Sequence, residues 1–261
     1  MTDLAGKVAL ITGAGQGVGQ GIALAMAAAG AKIVVTGRTL EKLEKTVALI
    51  ADRGGTAIAL HCNVKSADDL ARTVEAAVAQ LGGIDILVNN AQEVPNGKLL
   101  DVTDEAFLAG FESGPLASFR LMKLVHPHMV ARGGGTIFNL ASSAGIRWDM
   151  TGYGAYAAVK QAIRSLTRAA AAEWGREGIR VLTIAPHAES PGLKWWFENN
   201  PEEAEAFFRT IPLGRIGKLV AQRSLAFGMK LVAYDPFVSE EAARRMSVEL
   251  LTLDELIAAF D

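Results

Sequence analysis

The chain carries a single cysteine, Cys62, among its 261 residues. One thiol excludes an intrachain disulfide framework and any metal site built from clustered cysteines. An excess of charge of either sign is also lacking. Lys and Arg number 26 against 28 Asp and Glu, for a formal net charge of -2. No broad basic surface therefore points to nucleic acid. No apolar run reaches the roughly 18 residues that suggest a membrane span, so no membrane partner is expected. The opening segment, MTDLAGKVALITG, lacks the charged region and long apolar core of a secretory signal. With the lone thiol, these absences make the cytoplasm the expected location. His61, His126 and His128 show no metal-ligand spacing and read as structural, so no metal is expected.

What is present is an alternation. Half of the residues are hydrophobic, enough for one large α/β domain, or for one domain plus a fragment. Short β-branched runs at Lys7–Thr12, Lys32–Thr36, Thr56–His61, Ile84–Val88, Thr136–Leu140 and Ile179–Ile184 read as strands. Between them lie helical patterns at Gly17–Ala29, Leu40–Asp52, Ala67–Leu81 and Asp104–Ala131, the last interrupted around Gly114-Pro115, and an alanine-rich run carrying Tyr156. The alternation predicts an α/β fold: a doubly wound parallel sheet, Rossmann-like, in three α/β/α layers. Such sheets bind ligands at the carboxyl ends of their strands.

The first strand runs into TGAGQGVG, Thr12 to Gly19. Gly13 permits a tight turn, while Gly17 and Gly19 permit close approach of phosphates and close helix packing. The helix that opens here offers free N–H groups and partial positive charge to a pyrophosphate. The second strand ends in Gly37-Arg38, with no carboxylate to hold the ribose hydroxyls of NAD. Arg38 suits a 2′-phosphate instead, so NADP is the preferred cofactor and NAD the alternative. Gln16 adds no second positive charge in the loop, and Arg38 also reads as a solvated residue at the start of a helix.

Tyr156 and Lys160 are four apart, on one side of a helix. A phenol titrates near about 10, and a nearby ammonium lowers that value, which suits proton transfer near neutrality. Ser143 lies upstream, across a loop, where its hydroxyl can meet the same substrate oxygen. On spacing alone, the pair is also a common coincidence.

Thr12-Gly13, Gly17 and Gly19, then Asn89-Asn90-Ala91, then Ser143, Tyr156 and Lys160, in that order, resemble the short-chain dehydrogenase/reductase family. The resemblance spans about residues 4–217. It implies hydride transfer between a nicotinamide and a small-molecule carbonyl or alcohol. By position, Tyr156 would be the general acid/base. Lys160 would lower its pKa and bind the nicotinamide ribose, and Ser143 rather than Ser142 would bond the substrate oxygen. The resemblance further implies cofactor contacts at Gly13, Gln16, Gly17, Val18, Gly19 and Arg38. Asn63 and Val64 would form an adenine turn, with Asn90, Ala91 and Pro186 beside the cofactor. A homodimer or homotetramer would follow.

Three departures stand out. Gln92 follows Asn89-Asn90-Ala91 where the family has glycine. Gly114 falls where many members carry a catalytic asparagine that helps hold a water in the proton relay. His187 follows Pro186 in place of glycine, as a structural residue or a substrate contact. The Lys194-Trp195-Trp196-Phe197 segment falls in the family's substrate lid, or docks as an aromatic helix face or an oligomer contact. The alternative function is a nucleotide-binding protein with impaired catalysis.

From Leu213 the sequence changes character. LGRIGKLVAQRSLAFGMKLVAYDPF resembles the cofactor domain of D-2-hydroxyacid dehydrogenases, D-3-phosphoglycerate dehydrogenase among them. A chimera is inferred, with the junction between Leu213 and Gly217. Residues 1–212 are the short-chain domain and 213–261 a tail. No second cofactor site is expected, because Pro212 replaces the first loop glycine and 203–209 reads as helix rather than strand. Asp235 reads as an ordinary strand-end aspartate. Lys218–Gly228 is expected as a helix and Lys230–Tyr234 as a seventh strand beside the sixth, docked rather than independent.

Overall fold

The structure is a computed structural model. It describes residues 4–146, 152–186, 197–198, 201–202 and 205, and the backbone of 231–233 and 248–250. The chain divides into two compact units, Thr2–Pro186 and His187–Asp261, the latter with Met1.

The first unit is built on six parallel strands: β1 (Val8–Thr12), β2 (Lys32–Gly37), β3 (Thr56–His61), β4 (Ile86–Asn89), β5 (Gly135–Leu140) and β6 (Ile179–Ile184). Their order is β3-β2-β1-β4-β5-β6, the Rossmann-like arrangement expected from the alternation. The winding reverses between β1 and β4, and it is at the carboxyl ends of such strands that doubly wound sheets form their binding crevice.

Side-chain alternation divides the core in two. Val8, Leu10, Val34, Leu87, Ile137 and Val181 face one layer, against α3 (Ala67–Leu81), α5 (Ala117–Ala131) and α6 (Gly154–Trp174). Ala9, Ile11, Ile33, Val35, Ile86 and Val88 face the other, against α1 (Gly17–Ala28) and α2 (Leu40–Ala51). Both layers are apolar, so the strands read as continuous β-branched runs, as buried parallel strands do. α6 buries Ala155, Val159, Ile163, Thr167 and Ala170, a stripe at helical spacing.

Asp85 fastens the amino-terminal ends of the strands, opposite the crevice. Its carboxylate accepts from Val8 N at 2.9 Å and from both Nε and Nη2 of Arg132 at 3.0 Å. Burial alone would raise this carboxyl, but the Arg132 guanidinium and the Val8 N–H outweigh that and hold it below its ordinary value.

The helix interrupted at Gly114-Pro115 is α4 (Asp104–Phe111), then a wide π turn over Glu112–Leu116, then α5. Pro115 has no N–H, so the regular i to i−4 ladder fails there. The chain widens by one residue instead, and Ala117 N donates to Glu112 O.

In the second unit, β7 (Leu231–Ala233) pairs in parallel with β8 (Val248–Leu250), in a two-stranded sheet. This corrects the expectation of a seventh strand beside β6. A parallel strand needs a partner after a crossover of about a dozen residues or more, and 234–247 is long enough to reach β8. The expectations for Pro212, Asp235 and the 218–228 helix, and for all of the 203–209 helix except Glu205, fall outside the described residues.

Candidate active site

The crevice begins with the glycine loop. Gly13 and Gly17 have φ of +65° and +58°, in the left-handed region that glycine tolerates. A Cβ on Gly19 would stand 2.5 Å from both Gly13 O and Asn90 Nδ2, so only glycine fits. Asn90 closes the loop from above, donating from Nδ2 to Thr12 O at 2.8 Å and Gly13 O at 3.2 Å. Thr12 Oγ1 donates to Val88 O and accepts from Asn90 N and Ala91 N. One hydroxyl thus joins β1 to the turn after β4, a role that the glycine pattern alone did not reveal.

The N-terminus of α1 has no side-chain cap and no acidic residue in its first turn. In contrast, Ser66 caps α3 and Thr103 caps α4. The first N–H groups of α1 are left for an anion, so the loop fits the pyrophosphate of a dinucleotide. Gln16 brings in the positive charge it lacks, because its Oε1 accepts from Lys42 Nζ at 2.7 Å. Lys42 lies 26 positions away, beyond a local reading of the loop. Arg38 donates to Glu93 Oε1 at 3.0 Å, and Lys65 pairs with the other oxygen of the same carboxylate at 3.2 Å. Asn63 Oδ1 accepts from Lys65 N at 3.2 Å, the turn-forming use of an asparagine, and Val64 beside it is buried.

The second half of the site is the end of β5 and the start of α6. Ser142 Oγ accepts from Ala144 N at the head of a short turn over Ser143–Gly145. The Ser142 side chain also bonds the Tyr156 phenol. Ser143 is the next residue of that turn. Lys160 is buried, donates to Leu140 O at 2.6 Å, and has its Nζ 5.4 Å from the centre of the Tyr156 ring.

This geometry corrects one expectation. The Tyr156 phenol is not lowered by Lys160. Burial pushes it up to about 12, against a smaller downward pull from Ser142. Burial likewise brings Lys160 down to about 8. The ammonium bonds the Leu140 carbonyl and lies over the ring, so loss of hydration decides both values.

Below the site a polar chain crosses the core. Asn89 Nδ2 donates to Asn139 Oδ1 at 2.8 Å, Asn139 Nδ2 to Thr167 Oγ1 at 2.9 Å, and Thr167 Oγ1 to Ile163 O at 2.8 Å. It ties β4 and β5 to the helix that carries Tyr156.

Pro186 ends the first unit after β6. His187, Lys194–Trp196 and 147–151 lie outside the described residues. His126 packs at a tilt against Trp174 and bonds Glu177 at 2.5 Å, a structural use. Among the described residues, no group of three His, Cys, Asp or Glu is placed to hold a metal, and no helix is long and apolar enough to cross a membrane.

A doubly wound sheet, a glycine loop at the first strand's end and a Tyr-Lys pair on the helix after the fifth define a nicotinamide-dependent oxidoreductase. Residues 7–195 match the short chain dehydrogenase family, and the chain belongs to it. Residues 195–261 match the NAD-binding domain of D-isomer specific 2-hydroxyacid dehydrogenases, so the two-family composition read from the tail holds. A 12alpha-hydroxysteroid dehydrogenase of Clostridium sp. is 37% identical over 220 residues, covering 81% of this chain and 84% of that protein. A solved 7 alpha-hydroxysteroid dehydrogenase, complexed with NADH and 7-oxo glycochenodeoxycholic acid, superposes with a TM-score of 0.78. It is 31% identical, covering 96% of this chain and 94% of the other. A metagenomic short-chain oxidoreductase in complex with NADP gives 0.66 at 33% identity, covering 71% and 84%.

Proposed function

We propose that the protein is an NADP-preferring oxidoreductase that interconverts a ketone or aldehyde and the corresponding alcohol, with Tyr156 as its general acid. The observation that carries this is the half-buried Tyr156, its phenol bonded by Ser142 and one helical turn from the buried Lys160, at the same sheet edge as the uncapped α1. The bound nicotinamide supplies the hydride. The pyrophosphate would lie against Gly13, Gly17, Val18 and Gly19, and the 2′-phosphate near Arg38, Lys65 and Lys42. Asn63 and Val64 would face the adenine, and Asn90, Ala91 and Pro186 the inner half of the cofactor.

A phenol raised to about 12 is protonated across the physiological range. It donates its proton to a carbonyl oxygen as negative charge develops there, the general-acid role in the reductive direction. Ser143 donates to the same oxygen, and Ser142 fixes the phenol. Lys160, near 8, exchanges protons with its surroundings close to neutral pH. The bile-acid relatives suggest a hydroxysteroid or similar cyclic secondary alcohol as the first substrate class to try. Exposed Leu108, Leu116 and Phe119 on α4, the wide turn and α5 support pairing of two copies. The buried Cys62 thiol suits the cytoplasm. Residues 1–212 would carry the activity, with 213–261 as an appended tail.

The test is turnover of a ketone panel, oxo bile acids included, with NADPH and with NADH. Tyr156→Phe should lose about 100-fold or more in kcat while still binding nucleotide, as read by NADPH fluorescence. Unchanged turnover in that variant refutes the mechanism. A second reading, a nucleotide binder without catalysis, is favoured by Gly114 in place of the family's asparagine. Nucleotide binding with no turnover of any ketone would decide for it.

A further inference from the structure

Two departures from the family pattern meet in space. A Cβ on Gly114 would stand 2.4 Å from Gln92 Oε1, 2.9 Å from Nε2 and 3.0 Å from Cδ. No side chain fits at 114 while Gln92 is in place, so the carboxamide fills the room that the glycine leaves. Gln92 Nε2 donates to Glu93 O at 2.8 Å and to Gly110 O at 2.9 Å. Two carbonyl acceptors fix which end of the amide is nitrogen. Glu93 N donates to Ser113 Oγ at 2.9 Å. The loop after β4 is thereby stitched to the wide turn, where Pro115 has broken the helix's own ladder.

That leaves Gln92 Oε1. It is shut off from solvent and has no hydrogen-bond partner among the described residues, an unusual state for a buried carbonyl. Lys160 shows the converse lack. Its ammonium has three N–H groups and one protein acceptor among the described residues, Leu140 O. The end of α4 meets α6 beside this lysine: a Cβ on Gly110 would lie 3.2 Å from Val159 Cγ2. The unpaired acceptor and the lysine thus belong to elements in contact, α4 with its following turn and α6, and a buried water is the group that meets such an acceptor.

Building on the proposed role of Tyr156 and Lys160, we propose that Gln92 is a positioning residue of the proton-transfer site. From the loop after β4 it supplies the side-chain amide that residue 114 lacks, and its Oε1 holds a buried water that serves the spare N–H groups of Lys160. Residues 92 and 114 therefore work as one unit, and the two departures compensate each other.

The experiment uses the full chain in five forms: wild type, Gln92→Met, Gln92→Gly, Gly114→Asn and Gln92→Gly/Gly114→Asn. Gln92→Met keeps the length and loses the amide. It should melt cooperatively and bind NADPH, yet lower kcat about tenfold, the effect of one hydrogen bond to a charged group, and displace the pH profile of kcat. The Lys160 titration, followed by side-chain NMR of lysine-labelled protein, should move downward, because the ammonium loses an acceptor. Gly114→Asn should melt earlier through collision with Gln92, and the double variant should regain both melting temperature and kcat. An unmoved Lys160 titration in Gln92→Met overturns the proposal, whether or not a substrate is in hand. So does a double variant no better than the poorer single. A wild-type rate in Tyr156→Phe strikes the underlying mechanism instead, so the two failures are distinguishable.

Discussion

Lys160→Met should make the protein more stable at neutral pH while removing its activity. Burial brings Lys160 from an ordinary 10.5 to about 8, and at about 1.4 kcal/mol per pH unit that is about 3 kcal/mol. The sign follows from proton binding. Below pH 8 the lysine is charged in both folded and unfolded chains, and the folded state bears the whole cost of burying the charge. Between about 8 and 10.5 the unfolded chain binds more protons, so wild-type stability climbs with pH. Moving from pH 7 to 9.5 should recover about 2 kcal/mol. Methionine has a similar length and no charge, so it never bears that cost. It does leave Leu140 O without its donor, a loss of about 1 kcal/mol. The variant should therefore exceed wild type by about 2 kcal/mol at pH 7 and match it near 9.5. The Tyr156 phenol, near 12 in the folded chain, lowers stability only from about pH 10 upward, outside this window. Thermal unfolding without nucleotide, at matched ionic strength, reads the effect. For a chain of this size the pH 7 advantage is about 4–8 °C. A variant less stable than wild type at pH 7, or a gap that ignores pH, would refute the reasoning.

Gly19→Ala should abolish nucleotide binding and lower the melting temperature, since its Cβ would meet Gly13 O and Asn90 Nδ2 at 2.5 Å and overpacking costs about 1–3 kcal/mol. Titration with NADPH, read by fluorescence, checks it. Glu93→Gln should tighten NADPH severalfold relative to NADH at low salt. It frees Arg38 and Lys65 from their shared carboxylate, and the effect should fade with added salt because the Arg38 pair is exposed and so weak and screened. Ser142→Ala removes the bond that lowers the Tyr156 phenol, so the phenol rises further. Alcohol oxidation should slow more than carbonyl reduction in paired rate measurements, whereas Ser143→Ala should slow both directions alike.

Much of the fold was readable because buried parallel strands and amphipathic helices carry their own periods. Thr56–His61, Ala67–Leu81 and Ile179–Ile184 have the bounds their residues suggest. Ser66 and Gly82 cap α3 at its two ends, and both signals are local. The break at Gly114-Pro115 was legible from the proline; its widening into a π turn was not, because that depends on what donates to the freed carbonyls. The Tyr156 phenol was misjudged in direction because spacing shows that a lysine is near but not how dry the pair is. Lys42 and Glu93 were missed as charged neighbours of the cofactor loop because each arrives from a distant element. β7 was assigned to the wrong partner because local sequence marks a strand without naming what it pairs with.

The chain of amides under the site has a bearing on where the chemistry sits along α6. Much of that helix is small and alanine-rich, and a small apolar surface would pack almost as well after sliding by one turn. Thr167 forbids the slide. A displacement of four residues would bring Ile163 or Ala171 to Asn139, leaving the Asn139 amide without its oxygen partner in the driest part of the core. The hydroxyl two turns beyond Lys160 thus acts as an index mark, setting the height at which Tyr156 and Lys160 meet whatever is bound above the sheet.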